Sequence, residues 1–258
     1  MKMNMIKTAV AALALVGAVT TAVPAFAAGE AAKPPKQTWS FSGLFGTYDR
    51  AAAQRGFQVY KEVCASCHGM SLLSYRHLAD LGFSEDEVKA IAASYEIEDG
   101  PDADGEMFER SGIPADRFVS PFPNKNAAAA SNNGKFPPDL TLMTKARVGG
   151  ADYVYGLLVG YEDAPSGVEV PDGGSYNKYF PGQIIAMAPP LVDEAVEYTD
   201  GTKPTMAQHA KDVTTFMAWA AEPEMEERKR MGIKVLLFLL VLSGLLYAVK
   251  RKVWENVH

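Results

Sequence analysis

The sequence predicts a mainly α-helical fold: one helical domain with long loop insertions, followed by a single C-terminal helix that crosses a membrane. Three observations predict it. Segments 49–63 and 205–221 carry apolar residues at helical spacing, and the only two cysteines of the chain lie between them. Much of the intervening sequence is punctuated by proline, glycine and asparagine, as loops are. Residues 233–249 are apolar apart from Lys234, Ser243, Gly244 and Tyr247. At 258 residues the chain has room for one sizeable domain or two small ones, and it shows no internal repeat and no strand pattern longer than a few residues.

Residues 1–27 open with Lys2 and Lys7, continue as an apolar run, and end Ala25-Phe26-Ala27. A basic head, an apolar middle and an Ala-x-Ala exit predict a signal peptide cut after Ala27. Its removal would take away two lysines and no acid, leaving 23 basic residues against 31 acidic ones, net −8. An exported acidic protein points away from nucleic acid and towards a basic partner.

Residues 28–40, small and polar around Pro34-Pro35, read as an extended leader, after which Trp39, Phe41 and Phe45 supply apolar anchors. The first helix is expected from Asp49, its N-cap, to Val63. Gly56 and Tyr60 share a face four residues apart, on a helix that is either plainly amphipathic or notched by the glycine for another helix to cross. Residues 205–221 supply that helix, with Val213, Phe216, Met217 and Ala220 on its buried face and Pro223 beyond its end.

Directly after the first helix comes Cys64-Ala65-Ser66-Cys67-His68. Cys-x-x-Cys-His is the attachment signature of a c-type haem, in which two thiols form thioethers and the adjacent imidazole binds iron. Two thiols at this spacing also suit a redox disulfide or half a zinc site. Zinc would need two further ligands, for which only His77, His209 and His258 remain. Residues 85–109 then hold ten acids and one base, Lys89. Such a run is a solvated, mobile insertion or a docking field for a cationic protein. Residues 120–134 read as loop. Pro137-Pro138-Asp139-Leu140 starts a helical segment ending near Ala146, with Arg147 at its end and Gly149-Gly150 stopping it. Residues 152–161 form another short helix, and loops fill 162–182.

A haem iron held by one histidine has a sixth position to fill. The sulfur candidates are Met107, Met143, Met187, Met206 and Met217, although most methionines are core filler. Met187 lies in Ala186-Met187-Ala188-Pro189-Pro190-Leu191, a proline-stiffened loop ahead of the last domain helix, where a thioether would raise the reduction potential. After the charged cluster 224–230, the apolar run 233–249 spans about 26 Å as a helix, and Met231, Val253 and Trp254 extend it towards the ~30 Å hydrocarbon core. Basic residues flank both ends, so the signal peptide sets the orientation. The division is 1–27 signal peptide, 28–230 extracytoplasmic domain, 231–253 anchor and 254–258 cytoplasmic tail.

The chain resembles the cytochrome c1 family, the membrane-anchored haem subunits of quinol–cytochrome c oxidoreductase (cytochrome bc1) complexes. The resemblance covers nearly the whole mature chain. It rests on Val63-Cys64-Ala65-Ser66-Cys67-His68, Ser74-Tyr75-Arg76-His77-Leu78, Asn132-Asn133-Gly134 with Pro137-Pro138-Asp139-Leu140, Ala146-Arg147 with Asp152-Tyr153-Val154, Met187-Ala188-Pro189-Pro190-Leu191, and Arg228-Lys229-Arg230-Met231-Gly232. It implies a class I cytochrome c-like haem domain of bacterial type with one covalently bound haem c. Cys64 and Cys67 would be the thioether sites, and His68 and Met187 the axial iron ligands. Arg147 and Tyr153 would approach the propionates, with Asn132 a further polar neighbour. No catalytic residue is implied. The electron would come from the Rieske iron–sulfur protein and pass to a c-type cytochrome, with cytochrome b beside the anchor in a dimeric complex. The expected location is the bacterial inner membrane, single-pass, with the haem domain periplasmic. Some bacterial relatives have a disulfide near the ligand methionine; this sequence has no cysteines for one.

Overall fold

The computed structural model describes residues 31–256, so the expected signal peptide and the last two residues of the tail lie outside the described residues. The first helix, α1, runs Arg50–Glu62, and the Asp49 carboxylate accepts from the Ala52 N–H at 3.0 Å, an N-cap at the expected position. The last helix of the domain, α6, runs Met206–Ala221, capped by Thr205. Between them lie α2 (Glu85–Ala93), β1 (Glu96–Asp99), β2 (Phe108–Ser111), α3 (Lys125–Ser131), α4 (Met143–Ala146), α5 (Gly150–Val159), β3 (Ser175–Tyr176) and β4 (Ile184–Ile185). The strands form two separate antiparallel pairs, β1 with β2 and β3 with β4. The fold is mainly helical, as expected.

The core is organised on the crossing of α1 and α6, and α4 and α5 also pack against α6. At Gly56 an added Cβ would stand 2.0 Å from the Asp212 carbonyl oxygen and 2.7 Å from the Phe216 Cβ, so only glycine lets the backbones approach this closely. Phe57 and Tyr60 of α1 pack their rings against Phe216, and both also meet Phe118. The four α6 positions expected in the core are buried, but so are Thr214, Thr215, Ala218 and Trp219. From Asp212 to Ala221 the helix is buried all round rather than along one stripe, because α4, α5 and the 191–198 segment also pack there. Beside the crossing, Arg55 bonds Asp212 twice, at 2.8 and 3.1 Å, and Asp200 once at 2.7 Å. This guanidinium neutralises a carboxylate whose side chain is 1% exposed.

Several local expectations are corrected. The extended leader is docked on the domain: Gln37 N–H and Trp39 Nε1–H both donate to Asp152 at the start of α5, and Trp39 stacks on Phe41. Phe45, expected as an apolar anchor, is 80% exposed. The acidic stretch is an ordered helix and hairpin. Ser84 and Glu87 cap α2 reciprocally, and Val88 and Ala92 are buried. Arg110, one residue beyond the acidic window, bonds Asp99 at 2.5 Å and Asp116 at 2.7 and 2.9 Å, tying the hairpin to the domain. The 120–134 stretch contains α3, because Asn124 caps an alanine run of high helix propensity. The helix expected from Pro137 is confined to Met143–Ala146, and that expected at 152–161 starts at Gly150 and ends at Val159. The charged cluster 224–230 runs without a break into the apolar segment. It is the first part of one continuous 29-residue helix, α7 (Met225–Val253), long and apolar enough to cross a membrane and unburied along its apolar window.

Candidate functional site

The site is built at the end of α1. A 3-10 turn, Cys64–Ser66, follows directly, and the N–H groups of Cys67 and His68 both donate to the Cys64 carbonyl, at 3.1 and 2.9 Å. The turn places both cysteines and the histidine on one tight stretch of backbone, and the thiols are unbridged. Burial, and then the neighbouring Cys67, push the Cys64 thiol up to about 12. Tyr60 Oη donates to the His68 carbonyl at 3.2 Å, so the notch helix also holds the backbone of the motif.

The orientation of the imidazole is decided by Pro138. His68 Nδ1 lies 2.7 Å from the Pro138 carbonyl oxygen. A carbonyl can only accept, so Nδ1 carries the proton and Nε2 keeps its lone pair. Burial lowers the His68 pKa, and the Pro138 bond opposes that shift without reversing it. A neutral ring with Nδ1–H given to a backbone carbonyl is the form that ligates metal through Nε2.

Pro138 is held in turn by Asp139. Its carboxylate accepts from the Ser71 N–H at 2.7 Å and from the Thr141 N–H and Oγ1–H at 2.9 and 2.6 Å. Burial opposes the Asp139 charge, but these bonds outweigh it and hold the carboxyl below its ordinary range. The Leu140 N–H donates to the Gly69 carbonyl at 2.9 Å, closing the corner onto the motif. The importance of the Pro138 carbonyl and the Asp139 carboxylate was not visible in the motif itself, because a backbone acceptor has no side-chain signature.

Beside this corner opens a cleft of about 300 Å³ walled by Leu72, Pro138, Leu142, Met143 and Ala146, with Ser71, Asp139 and Arg147 adding polar groups. Leu72 and Leu142 are 54% and 46% exposed, unusual for leucines in a folded wall. An apolar slot with an arginine in its lining suits a flat macrocycle whose faces are apolar and whose edge is acidic, so the residues present fit a haem. Among the described residues no group of three or more His, Cys, Asp and Glu gathers at metal-binding distance, so the further ligands of a zinc site are not brought together.

The other expected residues lie as follows. Arg147 is exposed and lines the cleft, and its charge is felt by Tyr153, which is buried on α5. Burial, offset in part by Arg147, raises the Tyr153 pKa. Asn132 C-caps α3 and gives its side-chain amide to the Ala128 carbonyl at 2.7 Å, so that amide serves its own helix. Met187 is half-buried on the bend after β4 and is not part of the cleft wall, whereas Met143 is. Met217 is 3% exposed in the core and Met107 is 54% exposed on the acidic hairpin.

The sequence model of the cytochrome c1 family matches residues 39–257. Cytochrome c1 of Rhodospirillum rubrum is 50% identical over 238 residues, covering 86% of this chain and 88% of that protein. A mitochondrial cytochrome c1 heme protein of Arabidopsis thaliana is 49% identical over 255 residues, 96% of this chain and 83% of its own. A protein named cytochrome b/c1 from Bradyrhizobium diazoefficiens is 51% identical over 248 residues, 88% of this chain; there the chain spans only 36% of the relative's length.

Proposed function

Because the chain belongs to the cytochrome c1 family, we propose that it is the membrane-anchored electron-transfer subunit of a cytochrome bc1 complex. It would take one electron from the Rieske iron–sulfur protein and give it to a basic c-type cytochrome, making and breaking no bond in either. The observation that carries the reading is the His68 geometry: a neutral imidazole beside two free thiols, held by Pro138 so that only Nε2 can ligate. A covalently bound haem c would supply a single reversible electron at its iron.

The residues of the chain then divide the work. Cys64 and Cys67 would carry the thioethers, and His68 Nε2 and the Met187 sulfur would hold the iron. The thioether would raise the potential and keep external ligands off the iron. Arg147 would offset propionate charge, and Tyr153, whose hydroxyl burial keeps protonated, would donate towards the same edge. Asn132 would stay a polar neighbour. The helix α7 would fix the domain on the periplasmic side of the bacterial inner membrane, against cytochrome b, in a dimeric complex. The relative named cytochrome b/c1 supports that assignment of neighbours.

The test is replacement of the sixth ligand. Met187→Leu should lower the reduction potential steeply and create a form that binds external ligands such as carbon monoxide. Met143→Leu, in the cleft wall, should leave both properties nearly unchanged. If Met187→Leu left the spectrum and potential intact, the iron would have an open or differently filled sixth position, as in a haem peroxidase or gas-binding protein.

A further inference from the structure

We propose that the loop Ser42–Gly46 is a second membrane contact, seating Leu44 and Phe45 in the lipid interface beside the anchor helix. Leu44 is 57% and Phe45 80% exposed, two adjacent large apolar side chains that the core does not use. The loop that presents them is rigid. Its neck is closed by the Thr47 N–H donating to the Ser40 carbonyl at 3.1 Å, and its base is the ring cluster of Trp39 stacked on Phe41 with Tyr48 tilted against it. At Gly46 a Cβ would stand 2.1 Å from the Ser42 carbonyl oxygen, so the turn is drawn too tight for any side chain there.

The position of the loop relative to the membrane follows from Lys229. Its ammonium donates to the Phe41 carbonyl at 2.7 Å and to the Gly46 carbonyl at 3.0 Å, one on each side of the tip. Next to it, Glu226 accepts from the Tyr48 N–H at 2.8 Å and pairs with Arg50 at 2.7 Å. The loop is therefore pinned to the first turns of α7. Lys229 precedes Ile233, where the apolar run starts, by four residues, or about 6 Å along the axis. The polar layer between water and hydrocarbon is itself roughly 5–8 Å thick on each side. A loop held at Lys229 lies at headgroup depth, where exposed leucine and phenylalanine are stabilised and water-facing ones are not. A lipid surface is the occupant that this continuity with the span selects.

The proposal rests on α7 crossing a membrane, and the experiment separates the two. The full chain is reconstituted in phosphatidylcholine–phosphatidylglycerol vesicles with a nitroxide attached at Phe45→Cys. The unsubstituted chain, taken through the same labelling, corrects for any reaction at Cys64 and Cys67. Leu240→Cys, in mid-span, and Ser166→Cys, on an exposed loop, give the lipid and water limits. We expect oxygen to relax the label at 45 several-fold more, relative to a water-soluble nickel chelate, than the label at 166. Lys229→Met should raise access of the chelate at 45 by freeing the loop. Water-like access at 45 with lipid-like behaviour at 240 overturns the proposal and leaves the anchor standing. A label at 45 that is immobile and reached by neither relaxant overturns it in favour of a protein surface. Access of the chelate at 240 overturns both readings.

Discussion

Gly56→Ala tests the packing on which the domain closes. In the native crossing an added Cβ would meet the Asp212 carbonyl oxygen at 2.0 Å, against an ordinary contact of 3.4 Å or more, and that oxygen belongs to backbone and cannot rotate away. The two helices would have to part by about 1.4 Å at their closest point, loosening the contacts of Phe57 and Tyr60 with Phe216. Overpacking of this kind costs about 1–3 kcal/mol, and the rigidity of the clashing group places it at the upper end. Alanine recovers about 1 kcal/mol through its helix propensity. The net loss is about 2 kcal/mol, or a fall in Tm of roughly 4–8 °C for a domain of this size. Far-UV circular dichroism of the full chain in detergent measures it. Gly232→Ala is the control, because a Cβ there meets nothing within 4 Å and the same propensity gain is unopposed. A Gly56→Ala chain as stable as wild type, or more stable, would refute the claim that the crossing depends on the missing side chain.

Two further outcomes follow from the acidic hairpin. Its strands place Glu98 opposite Glu109, both exposed, so the charge is fixed on an ordered surface. Exchanging Glu98, Glu106 and Glu109 for glutamine should slow reaction with a basic cytochrome several-fold at low salt, and the difference should fade as ionic strength rises; equal rates at low salt would make the hairpin irrelevant to docking. Arg110 beside Asp116 holds that carboxyl at about 2, below its ordinary value of about 3.9. A depressed pKa contributes stability that is present above pH ~3.9 and lost as pH falls towards 2. Asp116→Asn should therefore be less stable than wild type at pH 6, with the gap closing in acid unfolding between about pH 4 and 2; a gap independent of pH would assign the effect to shape rather than charge.

The two long helices of the domain and the anchor were legible because they have long apolar periods and clear stops: Asp49 before α1, Thr205 before α6, Pro223 after it. The cluster of Cys64, Cys67 and His68 was legible because the three are sequence neighbours. What surrounds them was not. The orientation of His68 depends on a carbonyl 70 positions away, and the acidic run is ordered by Arg110, one residue past the edge of the charge count. The helix α3 was hidden among prolines and asparagines, although Asn124 before Ala127-Ala128-Ala129-Ala130 was a readable cap and propensity signal. Phe45 was misplaced because hydrophobicity alone does not say whether a side chain packs into the core or stands exposed.

The unbroken passage from the domain into α7 sets how far the cleft can travel. Glu226 and Lys229 grip residues 41–50 from within the helix that continues to Val253, so no hinge separates the folded domain from its post. A carrier on a flexible leash sweeps a hemisphere and can ferry its charge between distant stations. A head bolted to a rod can only lean with it, so the bearing of the cleft beside His68 is set by the direction of α7. If α7 spans a membrane as proposed, any partner exchanging electrons with the domain would have to do the travelling.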